Sequence, residues 1–192
     1  MKIALFAAVP EEVGRLSDKT NFMGIGRENA TRALLRFMEK HSNEDFTILN
    51  LGTVGSHNHA VGSLLSIQEV VSSGAMFFDH QMTMKQLDCP TAKSVQPAKL
   101  YSSDSFVSPV VYAAGFLDEM KAKADCFDME SSAVYSVAEA FHKPFVSFKI
   151  VSDNLDVTLE VWQQRVHELS AHLADFAEKL FAEIPDIEFI CD

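Results

Sequence analysis

Positive charge is what this sequence has least of. Sixteen lysines and arginines stand against 27 aspartates and glutamates, a formal net charge of −11, and no basic cluster breaks the acidic balance. A nucleic-acid backbone is held by basic patches, so nucleic acid is excluded as a partner. Cysteine is scarce too: Cys89, Cys126 and Cys191 are odd in number and share no C-x-x-C spacing. They read as unpaired thiols of a reducing compartment, and the expected location is the cytoplasm. No apolar run reaches the length that crosses a bilayer, so no membrane partner is expected. Lys2 to Val9 is too short, and too soon followed by Pro10-Glu11-Glu12, to be the apolar part of a secretion signal. Internal repeats and low-complexity tracts are missing. His57, His59 and His80, with Asp79 nearby, form no known ligand spacing. Neither a metal nor a cofactor is expected.

What is present suits a single domain over residues 1–192, long enough for a three-layer core. Lys2 to Val9 is an apolar run fit for a strand buried on both faces. Pro10 with Glu11 and Glu12 predicts a helix start, because proline is favoured at the first helical position and carboxylates in the first turn. The two glutamates either complement that helix dipole or put one carboxylate over the end of the strand. Gly24-Ile25-Gly26 is no dinucleotide fingerprint, since Asn29 stands where the third glycine belongs. Glu28 to His41 has helical period, with Ala30, Ala33, Leu34, Phe37 and Met38 on one face.

Phe46 to Leu51 reads as a buried strand and Gly52 to Ser56 as the loop that leaves it, whose small residues let a backbone approach a ligand. Met76, Met82 and Met84 are core or interface filler. Leu100 to Val107 reads as a short strand ending in a loop, and Pro109 to Lys123 as a helix. Thr158 to Ile184 is one long helix whose stripe of Trp162, Val166, Leu169, Leu173, Phe176 and Leu180 is a packing face.

The stretch from Ala124 to Asp156 organises the rest. Asp128-Met129-Glu130 is an acidic turn ahead of a helix whose apolar positions are Ala133, Val137, Ala140 and Phe141. Lys143-Pro144 ends that helix. Phe145 to Val151 is a buried strand, stopped by Ser152-Asp153-Asn154. One carboxylate thus starts a helix, and another sits past the end of a strand. In open α/β sheets ligands bind outside the carboxyl ends of strands.

At these residues the chain resembles a known family. DMESSAVYSVAEAFHKPFVSFKIVSDNLD is similar to the signature of the nucleoside phosphorylase and nucleosidase superfamily, and within it to the 5′-methylthioadenosine/S-adenosylhomocysteine nucleosidases. The resemblance implies a three-layer αβα fold with a central mixed, mostly parallel sheet. It implies hydrolysis of the N-glycosidic bond of an adenine-type purine nucleoside, modified at its 5′ position. MKIALFAAVPEEV looks like the family's N-terminus, and its catalytic glutamate falls on Glu12, to hold or deprotonate the attacking water.

By the same resemblance Asp153, helped by Ser152, delivers a proton to purine N7. Glu130, kept ionised by its helix dipole, accepts the ribose hydroxyls. Thr53 and Met129 line the substrate, and Phe106 stacks on the purine. Asn50 and Leu51 stand where related phosphorylases have a phosphate-binding arginine nearby, which favours water as the attacking group. Lys149 replaces a usual arginine and is expected to act within the protein.

Departures from the pattern are a pair of strands missing between Asp18 and Phe22, and a helix missing between Cys89 and Leu100. A homodimer is implied, with the segment from Met76 to Met84 in its interface. The alternatives are a phosphate-dependent phosphorylase and a catalytically idle relative that binds a nucleoside or a protein partner.

Overall fold

The computed structural model describes residues 1–72, 80–156 and 158–192. Asp79 and Met76 lie outside them. Its centre is a mixed sheet of nine strands: β1 (Lys2–Ala7), β2 (Thr20–Phe22), β3 (Thr47–Ser56), β4 (Leu64–Ser72), β5 (His80–Thr83), β6 (Gln96–Ser102), β7 (Cys126–Asp128), β8 (Phe145–Asp153) and β9 (Glu188–Phe189). Pairing is parallel for β1 with β2, β3 and β9, for β3 with β8, for β4 with β6 and for β6 with β7. It is antiparallel for β3 with β7 and for β4 with β5 and β8. Strands β3, β8, β4, β6 and β7 therefore close a ring, and β1, β2 and β9 extend it on the β3 side.

The strands are apolar on both faces because both faces are covered. In β1, Ala4 and Phe6 join one core and Ile3, Leu5 and Ala7 the other. In β3, Ile48 and Leu49 divide in the same way. The first core lies under α1 (Arg27–His41) and α4 (Ser131–Ala140), which bring Leu34, Phe37, Val134 and Val137. The second lies under α5 (Leu159–Ala182), whose Leu173, Phe176 and Leu180 pack on Phe148 and Ile150 of β8. This is the three-layer αβα arrangement that the sequence implied. A third cluster joins Leu117 and Met120 of α3 (Ala114–Lys123) to Tyr101, Phe127 and Leu155. Among the described residues no helix is long and apolar enough to cross a membrane.

Several expected boundaries move. The helix expected after Pro10 is two 3₁₀ turns, Pro10–Glu12 and Gly14–Lys19, because Val13 at φ −120° steps out of helical geometry between them. Gly52 to Ser56 is not a loop: it continues β3, held by β8 on one side and β7 on the other. Within the segment from Asp18 to Phe22, Thr20–Phe22 forms the single short strand β2, and a one-turn α2 (Pro90–Lys93) stands between Cys89 and Leu100. The helix read from Pro109 starts at Ala114, and the strand read to Val107 stops at Ser102. Met82 and Met84 are buried in the first core, so they offer no surface to a second subunit.

Candidate active site

The parallel strands β1, β3 and β8 all end toward one cavity of about 210 Å³. Glu12 enters it from the 3₁₀ turn after β1, and Pro10 at the first position starts that turn as the sequence required. Its carboxylate is buried and takes three hydrogen bonds from the protein. Oε1 accepts from Thr53 N–H at 2.8 Å and from Thr53 Oγ1 at 2.7 Å, and Oε2 accepts from Ala8 N–H at 3.2 Å. Thr53 in turn accepts from the Trp162 indole, 3.1 Å away.

Asp153 closes β8 at the opposite end. Val54 pairs with Val151 while Gly55 pairs with Asp153, so Ser152 is an extra residue and the strand bulges there. A bulge kinks a strand and re-aims the side chains around it. The freed Ser152 hydroxyl lies 2.7 Å from Asp153 Oδ2 and 3.2 Å from Val54 O. Oδ1 of Asp153 accepts from Leu155 N–H at 2.9 Å. Leu155 holds a left-handed φ of 65°, unusual for a branched apolar residue. The turn after β8 is thus bent so that its amide meets the carboxylate.

Between these ends sits a buried charge cluster. Asp128, at the end of β7, accepts from the backbone N–H groups of Glu130 (3.3 Å) and Ser131 (3.2 Å) and from the Ser131 hydroxyl. It thereby caps α4 from three residues ahead of its first helical residue. Lys149 of β8 reaches Asp128 Oδ2 at 3.1 Å, and both side chains are almost fully buried. Burial works against the Lys149 charge, but Asp128, Glu12 and Glu130 outweigh it and hold the ammonium above its ordinary range.

Glu130 accepts from the Gly26 N–H at 2.7 Å, which gives the Gly-Ile-Gly turn its place in the site. The expected ionised Glu130 is corrected here. Burial first, then the neighbouring charges of Asp128 and Glu12, push its carboxyl up to about 8. A helix terminus contributes at most ~2 kcal/mol to a nearby charge, too little to offset desolvation beside two carboxylates.

The remaining walls are apolar: Ala8, Val9, Ile25, Val54, Val107 and Phe127. The residues expected to catalyse or to bind substrate, Glu12, Thr53, Phe106, Met129, Glu130, Ser152 and Asp153, all line this cavity. Asn50 does not. It is buried inside the sheet, giving its amide N–H to Phe6 O at 3.2 Å and taking the Ser147 hydroxyl at 3.3 Å. Among the described residues no lysine or arginine lines the cavity; Lys149 lies behind it, against Asp128. No group of three His, Cys, Asp or Glu side chains among the described residues could hold a metal ion.

Sequence reasoning gave Asp128 no role and read Trp162 as packing. Asp128 carried a signal, an aspartate three residues before Ser131 at a helix start. Trp162 carried none, since its spacing matches the packing stripe of α5.

Residues 91–184 match the family model of the phosphorylase superfamily. No curated protein matches the chain at the level of sequence. Among solved structures, the chain is similar to a *Helicobacter pylori* 5′-methylthioadenosine/S-adenosylhomocysteine nucleosidase, at a TM-score of 0.80 and 15% identity over 96% of this chain and 99% of that one. A *Helicobacter pylori* futalosine hydrolase superposes at a TM-score of 0.81, with 15% identity over 96% and 98% of the two chains. An S-adenosylhomocysteine nucleosidase of *Streptococcus pyogenes* superposes at 0.79, with 18% identity over 96% and 98%. At such identities the likeness is one of fold.

Proposed function

We propose that this chain, whose residues 91–184 match the phosphorylase superfamily model, hydrolyses the N-glycosidic bond of a purine nucleoside. The observation that carries the reading is the opposition of Glu12 and Asp153 across one cavity, each carboxylate resting against a glycine of β3. A Cβ on Gly52 would stand 3.1 Å from Glu12 Oε1, and one on Gly55 would stand 3.0 Å from Asp153 Oδ1.

The chemistry follows from the placement. Breaking the bond requires a proton on the departing base, tolerance of positive charge on the ribose, and a nucleophile on the far side. Asp153 is the proton donor to the base. Its partner Ser152 can donate to the carboxylate or accept from the acid, so the side chain stays hydrogen-bonded before and after transfer. Glu12 holds the attacking water and takes its proton. Glu130 meets the ribose hydroxyls. Held protonated by burial, its carboxyl can donate to one ribose hydroxyl and accept from the other without giving up its proton. Phe106 and Phe127 offer faces for the base.

Water is the attacking group, since among the described residues no cationic side chain lines the cavity to hold a phosphate. The same shortage, with the apolar walls, favours an adenine-type nucleoside bearing an apolar or thioether 5′ substituent over a nucleotide. Base release from methylthioadenosine, S-adenosylhomocysteine, adenosine, inosine and adenosine monophosphate, with and without phosphate, tests this. Cleavage of the first two without phosphate is expected. A phosphate requirement would overturn the hydrolase, and preference for the monophosphate would overturn the 5′ argument. The proposed assembly is a homodimer, and a monomeric mass by light scattering at micromolar concentration would refute it.

A further inference from the structure

Trp162 is the sole tryptophan of the chain and stands in the first turn of α5, yet its indole leaves the packing stripe and turns to the cavity. The Nε1–H donates to Thr53 Oγ1 at 3.1 Å, and Thr53 Oγ1 stands 2.7 Å from Glu12 Oε1. An indole N–H can only donate, and a threonine hydroxyl has a single proton. With one lone pair of Thr53 Oγ1 occupied by the indole, the hydroxyl proton is left to point at Glu12. The backbone N–H of Thr53 donates to the same Glu12 oxygen, and Ala8 N–H to the other. Glu12 therefore takes three hydrogen bonds from the protein, one of them from a hydroxyl whose orientation the indole helps to set.

We infer that Trp162 is a positioning residue for Glu12: through Thr53 it sets the direction of the hydroxyl that holds the Glu12 carboxylate, so the accepting state of that group depends on how the first turn of α5 is docked. The inference rests on Glu12 being the base of the proposed hydrolysis. The relay itself can be observed without any turnover.

Because the chain has one tryptophan, ¹⁵N-labelling that residue type gives a single indole N–H resonance. This resonance should shift in Thr53→Val, which removes its acceptor, and in Glu12→Gln, which alters the partner of that acceptor. An indole resonance indifferent to both substitutions would overturn the relay, whether or not the protein cleaves a nucleoside. The kinetic arm uses Trp162→Phe, which keeps a ring in place and removes the N–H. A neutral hydrogen bond of ordinary strength corresponds to a loss of about fivefold, expected in kcat with KM nearly unchanged. In a Thr53→Val background the same replacement should add nothing further. A full effect of Trp162→Phe in that background, or a change confined to KM, would overturn the proposal. Absence of nucleoside cleavage by the wild type would instead count against the proposed reaction and leave the resonance measurement to decide the relay.

Discussion

Gly55 and Asp153 are in contact across the bulge. A methyl group on Gly55 would lie 3.0 Å from Asp153 Oδ1 and 2.6 Å from a methyl carbon of Leu155. The second distance is shorter than real Cβ contacts allow, so Gly55→Ala forces Leu155, and with it the amide that holds Asp153, to shift. At Gly52 the contacts to Glu12 and Lys149 are 3.1 Å and longer, tight but tolerable with a small adjustment. Gly55→Ala is expected to lose at least tenfold in turnover and to melt earlier, as overpacking typically costs ~1–3 kcal/mol. Gly52→Ala should lose less in both. Calorimetry and base-release kinetics on the two variants give the comparison, and equal losses would contradict the geometry.

Removing the transferable proton is a sharper test of the chemistry. Asp153→Asn preserves shape while the side chain can no longer act as an acid. General acid catalysis is typically worth ~10²–10⁴-fold, so turnover should fall by that factor with the melting temperature little changed. Near-full activity in the variant would remove Asp153 from the reaction.

The raised Glu130 carboxyl sets a pH dependence of stability. The folded chain holds this proton up to about 8, whereas an unfolded glutamate releases it near its ordinary value. Between those limits the native state binds more protons, so stability is full at the acid end and falls as pH rises toward 8. The slope is at most about 1.4 kcal/mol per pH unit from this one group. Glu130→Gln should flatten it, and the variant should gain on the wild type between pH 5 and pH 8. Urea midpoints at the two values measure the gain, and parallel curves would show that Glu130 ionises normally.

Lys149 and Asp128 make a separate stability prediction. Removing one partner of a buried ion pair leaves the other charge uncompensated, at a cost of ~3–5 kcal/mol. Lys149→Met should be destabilised by that order in denaturant titrations. Pairing it with Asp128→Asn should recover part of the loss, since the stranded charge is then gone. Losses that simply add would mean that the two side chains do not depend on each other.

Much of this site could be read from the residues, because each element carries a local signal. Pro10 before Glu11 and Glu12 marks a helical start, Asp128 to Ser131 marks a cap, and Ser152-Asp153 ends an apolar run of strand length. Three features were hidden. Gly52 to Ser56 looks like a loop because small residues serve loops and crowded strands alike, and only pairing with β7 and β8 decides between them. Glu130 looked ionised because sequence shows the helix it precedes, not the carboxylates and burial around it. Trp162 fits a helix stripe by spacing, and the contact that removes it from that stripe is with Thr53 of β3, far away in the chain.

The ring of strands has a consequence for how the protein comes to be folded. Ile48 is registered against Phe145 and Gly55 against Asp153, so the ring closes only when segments separated by half the chain meet. Closing long loops is entropically unfavourable until the far contacts form, and topologies rich in such pairings fold on the millisecond-to-second scale rather than in microseconds. Glu12 and Thr53 belong to the first third of the chain, while Asp153 and Trp162 arrive on the last strand of the ring and the helix that follows it. Binding of the proposed nucleoside is therefore expected only once the ring has closed. A ligand added early can hold the finished ring closed but cannot hasten its closure.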